Sequence, residues 1–438
     1  MRFTKAFAAA LCLSAAACGG GDGGGSGGAG GTPVAPTPTP APSPPPSPPP
    51  VQAVAYRASM GAPLIGSILF DINGNAVFGD GTAPNDDFST TTNRNGEFGA
   101  DAIGRLTSRT PPSGNFLYMT SGISRETGYL YTAIIPVSGS RIASPATMVL
   151  APNMQPSKVG IAMTWEELRD FDAFAALTSA DATTRARGQQ VTALNLKLLI
   201  HAGYRSQGTL TGAIALKDNV TGIVRELQAG PVDFNSSASM SAVLSQSSPG
   251  LTADTPERQA VAQLIARFGE AVDLYLTGPE TIAPIEYALR IQILPEVAAL
   301  FRSASGRPAL TVTDIVNMFR YFEDMPRPDT ATADFVAVPD LIPEYWNAEV
   351  NVPGTHFTYN DVNISGSVGV DIDGNRVVAV RVPAQFASQL SAALESDGSV
   401  TVRRWGTQRS LGWFEYDARN RDGLVSSSRA YVALKTLN

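Results

Sequence analysis

The chain has 438 residues, 39 acidic against 32 basic side chains and a formal net charge of −7. That balance argues against a general nucleic-acid surface, so no nucleic-acid partner is expected. The only cysteines are Cys12 and Cys18, which leaves residues 19–438 without a disulfide, a thiolate metal site or a cysteine nucleophile.

The first residues read MRFTKAFAAALCLSAAACGGG. Arg2 and Lys5 precede an apolar run too short to span a bilayer, the pattern of a secretory signal. Ala15, Ala16 and Ala17 stand directly before Cys18. This segment resembles a bacterial lipoprotein signal. The resemblance implies that residues 1–17 are removed, that Cys18 is lipidated (palmitate among its acyl chains), and that the bilayer is a partner through Cys18. Gly19 is not the aspartate that the resemblance associates with inner-membrane retention, so the implied location is the outer membrane of a Gram-negative bacterium.

GGGDGGGSGGAGG and TPVAPTPTPAPSPPPSPPP come next. Glycine offers no side chain to bury and proline favours extended backbone, at roughly 3 Å per residue. Residues 18–50 are therefore expected to be a disordered tether.

Residues 51–147 alternate short apolar runs with Gly, Asn, Ser and Thr, which predicts a β-sandwich-like domain. Within it, DDFSTTTNRNGEF carries Asn95, Gly96 and Phe98. The stretch resembles carboxypeptidase-regulatory-like and immunoglobulin-like surface modules, in which a strand ends in an Asn–Gly turn before an aromatic strand residue. That resemblance implies an adhesive or spacer role.

Residues 148–344 are expected to be helical. Thr164-Trp-Glu-Glu167 is a capping box, with Leu168, Phe171 and Ala175 on one face behind it. Residues 181–202 continue the helical pattern. Thr255-Pro256 opens a helix whose Val261, Leu264, Ile265, Phe268 and Val272 form one stripe. A further helix is predicted from near Pro284, bent at Pro295 and ending by Gly306, and Thr313 is read as the cap of a short helix to Phe322. The serine-rich stretch at 228–254 shows no strong period and reads as a partly ordered loop.

Residues 345–438 return to strands and are expected to form a β-rich domain, with a short helix over PAQFASQLSAALES. The whole is a multidomain α+β chain.

Two stretches nearly repeat: GSILFDINGNAVFGDG from Gly66 and GSVGVDIDGNRVVAVR from Gly366. A calcium loop of the EF-hand type needs glycine at its sixth position and glutamate at its twelfth. Asp371, Asp373 and Asn375 meet the early positions, but Arg376 and Val382 occupy the other two. Asp71, Asn73 and Asn75 are followed by Ala76 and Thr82. Both stretches are therefore read as hairpins built on the same turn chemistry. Asp71, Asp80, Asp86 and Asp87 remain an open calcium question, against a solvated loop.

His201 and His356 are the only histidines, and no hydrolase elbow, zinc helix or nucleotide loop is present. No cofactor or metal is expected. RRWGTQRSLGWFEYDAR interleaves Arg403, Arg404 and Arg409 with Trp405, Trp413 and Tyr416. It reads either as a contact surface or as a strand with buried aromatics and exposed arginines. The functional expectation is a noncatalytic envelope lipoprotein that binds or scaffolds an envelope protein or an extracellular polysaccharide. The alternative is a membrane-tethered hydrolase of glycans or peptides, which two carboxylates in a cleft, or a serine beside His201 or His356, would favour.

Overall fold

The computed structural model describes residues 56–71, 88–93, 95–98, 117–134, 140–151, 153–203, 222–247, 253–325, 335–337, 340–342, 349–352, 359–363, 367–369, 376–405, 411–419 and 423–433. Cys18, the tether, Asp80, Asp86, Asp87, His356 and Arg409 lie outside them. The chain is α+β as expected: N-terminal strands, a large central helical region, and a C-terminal β-rich region.

Seven strands open the fold. β1 (Tyr56–Ala58) lies between β4 (Glu97–Phe98), antiparallel, and β7 (Ile142–Ala143), parallel. A second, antiparallel sheet has the order β3-β2-β5-β6, from β2 (Leu64–Asp71), β3 (Phe88–Thr91), β5 (Leu117–Ser124) and β6 (Leu130–Ile134). β2 and β3 pair antiparallel, Phe70 opposite Phe88. Between β3 and β4 the Asn93 side chain accepts hydrogen bonds from the amides of Asn95 and Glu97, and Gly96 takes φ +73°. Phe98 then enters the core against Tyr56.

Ten helices come after them among the described residues. α1 (Pro145–Val149), α2 (Trp165–Leu168) and α3 (Ala173–Ala176) are short. The Thr164 box forms, with Glu167 Oε2 accepting from the Thr164 amide at 2.7 Å. Its helix closes after four residues, because Asp172 caps a new turn through the Ala175 amide. α4 (Ala182–Gly203), α5 (222–229), α6 (Ser237–Ser247) and α7 (Pro256–Tyr275) form the bulk of the helical region. The predicted stripe of α7 is buried throughout, and Thr255 caps it at the Arg258 amide.

α6 corrects the expected loop. Met240, Val243 and Leu244 point to one side of it and are fully buried. Three apolar positions among serines give too weak a sequence period, but packing against α7 supplies the stability that propensity lacks.

α8 (Ile282–Ala288) runs through a π-helical turn (Leu289–Ile293) into α9 (Leu294–Arg302). The bend expected at Pro295 is taken up here. Proline has no amide to offer the preceding turn, and the wider π register absorbs that mismatch. α10 (Val312–Tyr321) is capped by Thr311 with Asp314 in a closed box, and not by Thr313.

Among the described residues the C-terminal region holds three sheets. β8 (Phe335–Ala337), β11 (Tyr359–Asn363) and β12 (Ser367–Gly369) form one, in the order β12-β11-β8. β10 (Glu349–Val352), β14 (Leu390–Leu394) and β15 (Val400–Arg404) form a second, with β15 central. The third is β13-β16-β17-β9, from β9 (Asp340–Ile342), β13 (Arg376–Arg381), β16 (Leu411–Arg419) and β17 (Val425–Ala433). β14 replaces the later part of the expected helix over PAQFASQLSAALES; Ala384–Phe386 form a 3₁₀ segment and residues 387–389 a turn that leads into the strand. Five residues of β14 find a partner in β15, and that ladder outweighs local helix propensity.

The second quoted stretch also departs from expectation. β12 pairs with β11 and β13 pairs with β16, so the described strands on either side of Asp371 join different sheets and do not pair with each other. Alternation marked each as a strand but carried no information about its partner.

Two cores result. The larger runs continuously from Ala58 through the helices to Met325 and includes Tyr431. The smaller lies between two C-terminal sheets, with Leu390, Val400 and Val402 facing Val377, Phe414, Tyr416 and Val432.

Candidate functional site

α8 is buried on every face, and one of its residues is a carboxylate, Glu286, which is 1% exposed. Ser124 and Thr127 donate to its Oε2 at 2.8 and 2.7 Å. Both come from the β5–β6 turn, closed by the Gly128 amide on the Ser124 carbonyl. Glu286 Oε1 is buried with no hydrogen-bond partner among the described residues. Burial is the main force on this carboxyl and pushes its pKa up to about 7, helped by neighbouring Glu126 and opposed by the Thr127, Ser124 and Tyr131 hydroxyls.

Glu126 is itself buried, and Arg125 donates to it at 3.0 and 3.1 Å. The Tyr131 hydroxyl is fully buried, and burial followed by Glu286 raises its pKa well above the ordinary value. Arg290 comes one helical turn after Glu286. Its guanidinium lies over the Tyr129 ring at 4.1 Å, and its Nη1 is buried without a hydrogen-bond partner among the described residues. Tyr129 meets Tyr287 edge-on at 5.7 Å. A carboxyl that holds a proton near neutrality can donate, accept or exchange it.

Sequence reasoning missed this cluster. The signal was present in TIAPIEYALRIQI: an acid and an arginine four apart in an otherwise apolar helix. The two carboxyl groups stand 160 positions apart in the chain, and no local pattern encodes their proximity.

The predicted residues are dispersed. His201 ends α4 inside the larger core, edge-on to Phe234 at 5.9 Å, and burial lowers its pKa to about 4. It is a neutral core histidine at neutral pH. Asp71 ends β2 opposite Leu117. Glu167 is committed to its cap and to Arg187.

The arginine–aromatic stretch divides by strand face. Phe414 and Tyr416 enter the smaller core, while Trp413, Glu415 and Asp417 face the other way. Arg381 holds Asp417 with two bonds of 2.7 and 2.8 Å, and Arg429 lies over Trp413 at 4.9 Å. At β15 the expected partition holds for Arg403, which is exposed, but not for Arg404, which is 2% exposed, nor for Trp405 just past the strand, which is 47% exposed.

A small crevice elsewhere is lined by Arg57, Asp172, Asn195, Ser144 and Thr147, among others. Asn195 accepts from the Ala146 amide there, and Arg57 pairs with Asp172 and Glu97. Among the described residues no group of three or more His, Cys, Asp or Glu is placed to hold a metal ion. No described helix is long and apolar enough to cross a membrane. Comparison with protein-family models, with curated proteins and with solved structures gives no match.

Proposed function

We propose that this protein is a noncatalytic cell-envelope lipoprotein, anchored in the outer membrane through Cys18, whose C-terminal β region binds an envelope protein or an extracellular polymer. The anchor rests on the run Ala15-Ala16-Ala17-Cys18 and the Gly- and Pro-rich tract behind it. The observation that carries the binding part is Trp405, 47% exposed just past the end of β15. An exposed indole offers an apolar face to sugars or to a protein surface.

Two measurements test the reading. Intact mass of the protein purified from native membranes should show a chain starting at Cys18 with added acyl mass, and Cys18→Ser should release the protein from the membrane fraction. A mature chain without acyl mass ends the anchor proposal. In a pull-down from native membranes, Trp405→Ala should lose at least tenfold of the recovered envelope component. Equal recovery by the variant removes Trp405 from the proposal.

The hydrolase alternative draws on Glu286 and Glu126, two neighbouring carboxyl groups of which one holds its proton near neutrality. Both are buried, and neither lines the crevice at Arg57 and Asn195. Turnover of cell-wall glycan or peptide by the purified chain, abolished by Glu286→Gln, would replace the binding reading.

A further inference from the structure

Among the described residues Glu286 makes no hydrogen bond or ion pair with a cation. Its two donors are neutral hydroxyls on the β5–β6 turn. Charged and titratable groups come to it from the β5–β6 turn, from strand β6 and from its own helix, and α10 also packs against α8. The turn brings Arg125 and Glu126, already bonded to each other. Strand β6 and its approach bring Tyr129 and Tyr131. The helix itself brings Tyr287 and Arg290.

Arg290, four residues on from Glu286, forms no hydrogen bond or ion pair with it among the described residues. It stacks on Tyr129, with Nη1 buried and without a hydrogen-bond partner among the described residues. That arrangement fits a carboxyl that still carries its proton: a neutral Glu286 needs no counter-ion, and Arg290 then gains more from the ring face. An ionised Glu286 reverses the preference, because a buried unpaired charge costs far more than one cation–π contact. Arg290 lies within the π-helical turn Leu289–Ile293, which begins three residues after Glu286. A π turn holds one more residue than an α turn, so its return to α register rotates and shifts the helix beyond it.

We propose that Glu286, Arg290 and this π turn form a proton-operated latch between the β5–β6 turn and α8. With the proton on, Glu286 takes the Ser124 and Thr127 hydroxyls and Arg290 rests on Tyr129. With the proton released to solvent, the carboxylate draws Arg290 off the ring, and the π turn supplies the slack for that movement. Only the O–H bond of Glu286 breaks. The proposal is independent of lipid anchoring and of any bound partner.

The test is near-ultraviolet circular dichroism of the purified full chain between pH 5 and 9, read in the tyrosine band. His356→Gln is the common background, because a histidine titrates in the same range. A single transition with its midpoint near 7 is expected. Glu286→Gln should abolish it and keep the acid-form spectrum at every pH. Arg290→Gln removes the partner of the ionised form and should move the midpoint up by about one unit. Absence of a transition in the background chain overturns the latch, and so does a transition that survives in Glu286→Gln. If Glu286→Gln does not fold, Arg290→Gln decides: an upward shift supports the latch and an unmoved midpoint overturns it.

Discussion

Two buried groups, His201 and Glu286, pull stability in opposite directions along the pH axis. His201 titrates at about 4 in the folded chain against 6.5 when free, so the unfolded chain binds more protons between those values. Its contribution is complete above pH 6.5 and is lost as pH falls towards 4, by about 3 kcal/mol for a shift of that size. Glu286 titrates at about 7 against 4.5 when free, so here the folded chain binds more protons. Its contribution is complete below pH 4.5 and is lost as pH rises through 7, again by about 3 kcal/mol. Between 4.5 and 6.5 the two slopes oppose each other. His201→Leu should remove the acid-side loss and leave a stability that falls from pH 5 to 8, whereas Glu286→Gln should leave a stability that rises. Urea unfolding at pH 5 and 8 reads the difference, and curves that keep the same slope in both variants would refute the assignment. A second residue-scale prediction concerns the β3–β4 turn. Gly96 has φ +73°, and a Cβ there would collide with the Ala58 carbonyl. Gly96→Ala should cost roughly 2 kcal/mol or more through backbone strain and displacement of β1, seen as a lowered Tm.

At the scale of the element, the serine-rich helix α6 shows how little local preference is needed once packing is available. Leu244 is fully buried, and Leu244→Ala should destabilise by about 2–5 kcal/mol, measured by chemical unfolding. A loss under about 0.5 kcal/mol would mean that α6 is not part of the core. The same helix marks the limit of sequence reading. α7 was legible because five apolar residues repeat at helical spacing behind a Thr–Pro cap, and both the stripe and the cap appear as expected. α6 offered only three such residues, and β14 reads as helix until β15 is known to lie beside it. The pairing expected around Asp371 failed for a related reason, since an alternating pattern names a face and not a neighbour. The candidate site was the least legible feature. Glu286 could be seen as an anomaly in an apolar helix, but Ser124, Thr127 and Glu126 stand in an unremarkable turn about 160 positions earlier. Their value arises only when the turn is pressed onto α8.

Within residues 54–438, one sheet serves both cores. Along β16 and β17, Phe414, Tyr416 and Val432 face the smaller core, while Leu411, Trp413 and Tyr431 on the opposite face meet the helical region. Tyr431 is the centre of that joint. Its hydroxyl donates to the Met325 sulfur at 2.8 Å, and its ring lies 5.1 Å from Phe322 and 6.0 Å from Trp413. Tyr321 adds an edge-on contact to Trp413 at 5.9 Å and a hydroxyl bond to the Leu411 carbonyl at 3.3 Å. Aromatic pairs at these separations add about 0.5–1.5 kcal/mol each beyond the area they bury. Tyr431→Ala removes several of them at once and leaves the residues of the smaller core in place, so the loss falls on the coupling between cores. The expected result is a change in cooperativity as well as in stability. In native-state hydrogen exchange, peptides covering β15, β16 and β17 should exchange faster than those covering α7 in the variant, and at a common rate in the parent chain. If exchange accelerates equally in both regions, the joint is ordinary core and the two cores unfold as one. If only the sheet peptides accelerate, Tyr431 is what makes the C-terminal β region part of the same cooperative unit as the helices.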